Sequence, residues 1–163
     1  MVTISTGSFV GKFEVSINVF TTPKLQQYID RYSTKYLYDM LGEELFLLWN
    51  AGAGTPIYDK LTNPFIFQSR CGKVYESKGI EDMLLGLIYW HYVTDITTKQ
   101  SINGGIKNSN ENSKDASFVL ANVHDRYYES LLTYRAIQAW VIDNSIDYPL
   151  FNGNCIDMVI PYF

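Results

Sequence analysis

The feature that most constrains the fold of this chain is an apolar stretch from Met83 to Val93, which contains no Asp, Glu, Lys or Arg. Acidic residues bound it on both sides. About eleven residues are too few to span a membrane as a helix, which takes about twenty. A helix that is apolar on nearly all sides is instead buried on nearly all sides. The stretch therefore predicts a central helix, from near Gly79 to about Thr97.

Two helices are predicted before this central helix. Thr22 is suited to cap a helix, and Pro23 is suited to its first position. Gly42 favours an end of that helix at about Leu41. A second, short helix is predicted over Glu43–Asn50, because acidic residues in a first turn interact favourably with the helix dipole. The first helix has apolar residues at steps of three and four, namely Leu25, Ile29, Tyr32, Tyr36 and Met40.

The segment between the second helix and the central helix is predicted to be irregular, because prolines and glycines interrupt it. Ile57–Leu61 indicates an additional helical turn. Phe65–Phe67 and Lys73–Tyr75 are rich in aromatic and β-branched residues, which favour strands. These two segments are therefore predicted to pair as short strands.

After the central helix, a polar stretch from Thr98 to Asp115 is predicted to form a long loop. Loops of this length in compact domains are usually functional or disordered. The longest helix is predicted after it, over Ala116–Asn144, and spans roughly 40 Å at 1.5 Å per residue. Its apolar stripe consists of Leu120, Val123, Tyr127, Leu131, Tyr134, Ile137 and Val141.

Arms are predicted at both ends of the chain. Apolar and polar residues alternate over Phe13–Val19, which predicts an extended strand in an N-terminal arm, residues 1–20. Pro149 favours an end to helical structure, so residues 146–163 form a predicted C-terminal arm. Its last eight residues are largely apolar, and two alternatives stay open for them: packing on the chain's own bundle, or docking on a neighbour.

The sequence as a whole predicts a mainly α fold: one domain over residues 1–163, with about four helices in a bundle, a helical core over residues 21–145, a polar loop over residues 98–115 and two arms. The loop and the two terminal arms are the predicted contact-making parts. The candidate interface residues in them are Asn103, Ile106, Asn108, Met158, Ile160, Tyr162 and Phe163.

Catalytic and metal-binding constellations are not recognisable in the sequence, so no catalytic residue, cofactor or metal is predicted. His91 lies in the apolar stretch and is interpreted as a packed core histidine. His124 lies beside charged residues and is interpreted as part of a solvated face. Four carboxylates at predicted helix starts are explained by the helix dipole, although an acid/base pair remains an alternative for Glu43, Glu44, Glu81 and Asp82.

Charge and composition favour a protein that binds proteins. The net charge is -4 with 13 basic residues, which disfavours a nucleic-acid binder. Aromatic residues make up 15% of the chain, and tyrosine and tryptophan suit interfaces. Cys71 and Cys155 are expected to be reduced thiols, and the first residues lack the pattern of a signal peptide.

The order of these landmarks resembles the head-to-tail connector, or adaptor, proteins of tailed bacteriophages, in particular those of crAss-like phages and related prophages. The resemblance spans most of the chain, and short, degenerate patterns carry it. These patterns are Ile17-Asn18 before the first helix, Leu37-Tyr38-Asp39-Met40-Leu41-Gly42-Glu43-Glu44-Leu45-Phe46, Gly79-Ile80-Glu81-Asp82, Leu87-Ile88-Tyr89-Trp90-His91-Tyr92, Gly105-Ile106-Lys107-Asn108-Ser109 and Tyr148-Pro149. The chain departs from the family pattern at Ser69-Arg70-Cys71-Gly72 and in its apolar last eight residues.

The resemblance implies a structural protein of the virion that is made in the host cytoplasm. It implies a closed, dodecameric ring at the portal-tail junction, with the portal protein and other tail or ring proteins as partners. DNA would pass through the ring without specific binding, and no membrane is involved. Two alternatives of other classes remain: a small hydrolase that uses carboxylates, and a regulatory module that binds a peptide near Trp90–Tyr92.

Overall fold

In the computed structural model, the described residues are 4–15, 21–52, 54–101, 104–107 and 113–154. For those between 97 and 120, only the backbone is described. This part of the chain contains five α-helices and two antiparallel hairpins, so the predicted mainly helical fold is confirmed, with five helices in place of about four. The helices are α1 (Thr21–Leu41), α2 (Glu43–Ala51), α3 (Pro56–Thr62), α4 (Ile80–Thr97) and α5 (Ser113–Asp143). The strands are β1 (Phe65–Gln68), β2 (Val74–Ser77), β3 (Thr98–Ser101) and β4 (Gly104–Lys107).

The central helix α4 packs most extensively against α5 and then against α1. Its residues Met83, Leu87 and Ile88 are fully buried, as the apolar stretch predicts. Gly86 allows α4 and α5 to approach closely, since a Cβ there would overlap the side chain of Ser130. In the described part of the chain, no helix combines the length and apolarity that crossing a membrane requires.

The junction of α1 and α2 requires a glycine. Gly42 has φ +79°, which L side chains rarely adopt. A Cβ on Gly42 would also overlap the side chain of Asn152, in the segment that follows α5. The two helices can therefore follow each other directly while the C-terminal segment packs against their corner.

The region predicted to be irregular is ordered largely as its local patterns indicate. Pro56 is the first residue of α3, where its fixed φ suits a helix start. β1 and β2 pair with Phe65 opposite Ser77 and Phe67 opposite Tyr75. The predicted strand pair therefore exists, although the second strand begins one residue later and is longer than predicted.

The predicted N-terminal strand is wrong in its described part. Phe13 closes a 3-10 turn over Gly11–Phe13, and Glu14 and Val15 do not belong to a strand. Gly11, at the start of this turn, has φ +60°, and both Phe9 before the turn and Phe13 at its end are buried in the core. The rest of the predicted strand, residues 16–19, lies outside the described residues.

The predicted polar loop over residues 98–115 is also corrected, because it contains the hairpin β3–β4. Thr98 pairs with Lys107 and Ser101 with Gly104, which leaves two residues between the strands, a common hairpin connection. α5 begins at Ser113, three residues before the predicted start. Most of the predicted loop therefore belongs to strands or to the start of α5.

The C-terminal segment does not leave the bundle within its described part. Tyr148 is buried, and its hydroxyl donates to the carbonyl oxygen of Ile57 at 2.7 Å. Further along, the backbone N–H of Asn154 donates to the carbonyl oxygen of Asp39 at 2.6 Å. Tyr148 and Asn154 thus hold the described part of the predicted arm against the bundle, and residues 155–163 lie outside the described residues.

Candidate interaction site

A cluster of stacked rings joins α1, α4 and α5, and we name it the His91 cluster: Tyr32, Tyr36, Trp90, His91 and Tyr127. The imidazole of His91 lies parallel to the ring of Tyr32, with centroids 3.9 Å apart and an interplanar angle of 5°. The indole of Trp90 stacks on Tyr127, with centroids 4.5 Å apart. Because α1 and α4 supply rings at helical spacing, their packing brings the five side chains together.

Electrostatics keep the His91 cluster uncharged. Burial lowers the pKa of His91 from 6.5 to about 4, and nearby Lys35 and Arg31 lower it further, while Asp95 opposes the shift. Burial likewise raises the pKa of Tyr36. The Tyr36 hydroxyl and His91 Nε2 lie 2.7 Å apart and form a hydrogen bond, in which the tautomer of His91 decides which group donates. His91 is therefore a stacked and hydrogen-bonded structural side chain.

We predict that this histidine makes the protein sensitive to mild acid. The folded-state pKa of about 4 lies below the ordinary 6.5, so the unfolded chain takes up the proton first as the pH falls. The contribution of neutral His91 to the stability of the fold is thus fully present above pH 6.5 and is lost between pH 6.5 and pH 4. We expect a loss of about 1–2 kcal/mol, about half of what the full pKa shift corresponds to, because water screens a half-buried ring.

Urea unfolding of the wild type and of His91→Gln at successive pH values measures this loss. The variant keeps a polar side chain but removes the titration, so its stability should fall less steeply between pH 6.5 and pH 5. Identical slopes for the two proteins in that interval would contradict the prediction.

The four carboxylates of the hydrolase alternative lie at two helix starts. Glu43 and Glu44 are exposed in the first turn of α2, and Glu81 is exposed in the first turn of α4. Asp82 instead forms an ion pair with Lys12, at 2.9 Å. Within the described residues, no three His, Cys, Asp or Glu side chains are grouped as a metal site would need.

The peptide-binding alternative rests on Trp90–Tyr92. Tyr92 is buried and meets Tyr28 edge to face, and Trp90 is half-buried beneath Tyr127. Most of the surface of these rings therefore packs against other side chains of the same chain. His124, interpreted from the sequence as part of a solvated face, is half-buried.

Of the predicted interface residues, the structure describes only the strand position of Ile106, which lies in β4 opposite Lys99. The remaining predicted interface residues lie outside the described residues, namely Asn103, Asn108, Met158, Ile160, Tyr162 and Phe163.

Sequence reasoning missed three exposed apolar surfaces. The first, which we name the end patch, consists of Ile57, Ile146 and Leu150. Ile146 is 91% exposed, and the hydrogen bond from Tyr148 to Ile57 holds its segment beside the start of α3. Isolated exposed apolar residues are ordinary, but a group of them indicates an interaction site.

The second surface is the outer face of the β1–β2 hairpin. Ile66 and Val74 are both exposed there, while Phe65 and Phe67 pack inward against Trp140 of α5. The two exposed residues are diagonal neighbours across the strands, since Ile66 is opposite Glu76 and Val74 is opposite Gln68. The three consecutive apolar residues of β1 were the sequence signal that could have revealed this face, because successive side chains of a strand point to opposite faces.

The third surface lies on α5, and we name it the α5 outer face: Ala121, Asp125, Tyr128, Leu132, Arg135, Ala139 and Ile142. Tyr128, Leu132 and Ile142 are 39%, 43% and 52% exposed. The residues recur at steps of four and three, so the signal was present in the sequence. The more strongly apolar buried stripe of the same helix obscured it.

The structure thus defines a mainly helical protein with exposed apolar surfaces on several elements. Comparison of the chain with protein-family models, curated proteins and solved structures found no match.

Proposed function

We propose that this chain is a structural virion protein: a connector subunit that assembles as a closed, dodecameric ring between the capsid portal and the tail. The ring lines the passage through which DNA enters and leaves. Its partners are further copies of the chain, the portal protein and the adjoining tail or ring proteins.

The observation that carries this proposal is the separation of the exposed apolar surfaces. The end patch, the outer face of the β1–β2 hairpin and the α5 outer face lie on different elements. A closed ring needs two unlike faces on each subunit, because every copy contacts two neighbours, and binding to a portal needs a third. A protein with a single small-molecule site has no such requirement.

The end patch is also held in place, as an interface requires. Tyr148 fixes its segment to α3, and the backbone of Asn154 is bonded to the end of α1. Little conformational freedom is then lost when a neighbour binds, which favours affinity. The net charge of -4 supports the proposal as well, since a mildly acidic ring does not retain DNA by charge attraction.

The assembly state of the purified chain tests the proposal. Native mass spectrometry and negative-stain electron microscopy, with and without the portal protein of the same virus, should show rings of one fixed copy number. Assembly of such a ring can require the portal as a template, so both samples are needed. A chain that stays monomeric at high concentration and does not bind the portal would overturn the proposal.

We expect Ile146→Asp to prevent ring assembly while leaving the fold intact. The side chain is almost fully exposed, so the charge costs little in the free subunit but would be desolvated at a contact. Ser145→Asp is the matched control, because Ser145 is an exposed neighbour outside the patch. Rings should persist in the control and be lost in Ile146→Asp, with unchanged circular dichroism in both. Rings of normal size from Ile146→Asp would exclude the end patch as a contact.

A further inference from the structure

The last described residue, Asn154, lies between two helices, and we name the line along which they adjoin the α1–α5 seam: Asp39 and Met40 of α1 with Tyr134 and Gln138 of α5. The backbone N–H of Asn154 donates to the carbonyl oxygen of Asp39 at 2.6 Å. Its own carbonyl oxygen accepts from Tyr134 at 3.0 Å and from Gln138 at 2.9 Å. The chain is thus held in the seam from both sides at this point.

The direction of the chain in the seam follows from its last contacts. Asn152 lies against Gly42, the residue after α1, whereas Asn154 is bonded to Asp39 inside the helix. The chain therefore advances from the end of α1 toward its start. The residues that come next along this path are those of the His91 cluster, because Tyr36 precedes Asp39 on α1.

The rings of the His91 cluster form a partly open apolar surface beside the seam. Trp90 stacks on Tyr127 of α5 with centroids 4.5 Å apart, and meets His91 edge to face at 4.8 Å. His91 in turn is bonded to Tyr36 of α1. The rings of Trp90, Tyr127 and Tyr36 are all half-buried, so part of each remains available to a further apolar group.

A buried polar atom lies on the same side of α1. Ser33 precedes Met40 by seven residues, which is about two helical turns, so the two share one side of the helix. The Met40 carbonyl oxygen accepts from Gln138 in the seam. Within the part of the chain that the structure describes, the Ser33 hydroxyl oxygen is buried without a hydrogen-bond partner. Because a buried hydroxyl is unfavourable when unpaired, a backbone group in the seam would be a fitting partner.

The segment that follows in sequence, residues 155–163, matches this surface in character and in reach. It is apolar apart from Asp157. From Asp39 back to Ser33 the helix axis covers about 9 Å, at 1.5 Å per residue. An extended chain advances about 3.3 Å per residue and covers this distance in about three to four residues. Met158 therefore arrives at the level of Ser33.

We propose that residues 155–163 bind in the α1–α5 seam of their own chain, with Met158 against the rings of Trp90 and Tyr127. A thioether packs favourably against aromatic rings, and the contact removes apolar surface of both partners from water. The same chain is the favoured partner because the bonds of Asn154 hold the segment beside the seam, at a high effective concentration. This inference does not depend on the proposed function.

Disulfide trapping tests the position of the segment. In a full-length chain with Cys71→Ser and Cys155→Ser, Ser33→Cys is combined with Met158→Cys and the protein is mildly oxidised at low concentration. We expect a disulfide within one chain, identified by peptide mass mapping. Thr34→Cys with Met158→Cys is the matched control, since Thr34 is the exposed neighbour on another side of α1. Its disulfide should form at least about tenfold more slowly, because two cysteines on different sides cannot reach bonding geometry.

Two outcomes of the trapping would overturn the inference. Equal rates for the two cysteine pairs would show that the segment has no fixed place on α1. Disulfides formed mainly between two chains would show that the segment binds a neighbour.

Nuclear magnetic resonance tests the contact without new cysteines. The chain has three tryptophans, so the indole N–H signals of Trp49 and Trp140 serve as internal references for that of Trp90. We expect Met158→Asp to shift the Trp90 signal and to leave the other two in place, because the charged side chain leaves the rings. An unchanged Trp90 signal, or equal shifts of all three, would contradict the contact.

Discussion

Replacing Tyr134 by alanine is expected to lower the free energy of unfolding by about 3–5 kcal/mol, which for a domain of this size is a large part of the total. Tyr134 has a relative exposure of 0% in the core between α5 and its neighbours. Its hydroxyl also donates to the carbonyl oxygen of Asn154, at 3.0 Å. Alanine removes the ring, which leaves a cavity, and the hydrogen bond at the same time.

Urea unfolding at neutral pH and low protein concentration measures this effect. Tyr134→Phe keeps the ring and should cost only about 1 kcal/mol, the value of one hydrogen bond. Tyr128→Ala is the matched control, since it is the same change at an exposed position of the same helix, and should cost less than about 0.5 kcal/mol. Equal losses for Tyr134→Ala and Tyr128→Ala would contradict the burial of Tyr134.

The second large effect concerns Gln138, a buried polar residue on α5. Its amide nitrogen Nε2 donates to the carbonyl oxygens of Met40 and Asn154, both at 2.9 Å. Gln138→Leu retains the volume but leaves the Met40 carbonyl without this donor. An unsatisfied buried carbonyl costs about 1–3 kcal/mol, so we expect a loss of about 2 kcal/mol.

Two measurements test the role of Gln138. Urea unfolding gives the loss of stability, with Gln68→Leu as control because that glutamine is exposed on β1. Hydrogen exchange of the Asn154 amide reports the local effect, since that N–H is bonded to Asp39 in the same contact. Faster exchange in Gln138→Leu alone is expected. Unchanged exchange together with unchanged stability would show that the bonds of Gln138 contribute nothing.

Sequence patterns predicted the helices well because their signals are local. The apolar run around Met83 determines α4 without knowledge of its neighbours, and Gly42 marks the junction of α1 and α2. The N-terminal strand was wrong because alternation was given more weight than Gly11, whose positive φ starts a turn. The hairpin β3–β4 was missed because polar strand residues resemble a loop in composition.

The candidate surfaces were harder to predict, for a different reason. Exposure of Ile146 or Leu132 depends on which side of a helix or segment the rest of the chain covers, which is a tertiary property. The sequence indicated an apolar C-terminus but not that residues 148–154 return to the bundle. The hydroxyl of Tyr148 donates to the backbone carbonyl of Ile57, and the backbone carbonyl of Asn154 accepts from Tyr134. Hydrogen bonds to backbone carbonyls have no signature in the sequence.

The bonds at Asn154 have a mechanical consequence. Its backbone N–H is tied to the end of α1, and its carbonyl oxygen is tied to α5 through Tyr134 and Gln138. A pull on the residues that follow would load these bonds together, before it reached Tyr148 or the end patch. Tension applied beyond Asn154 is thus carried by α1 and α5, two helices of the core.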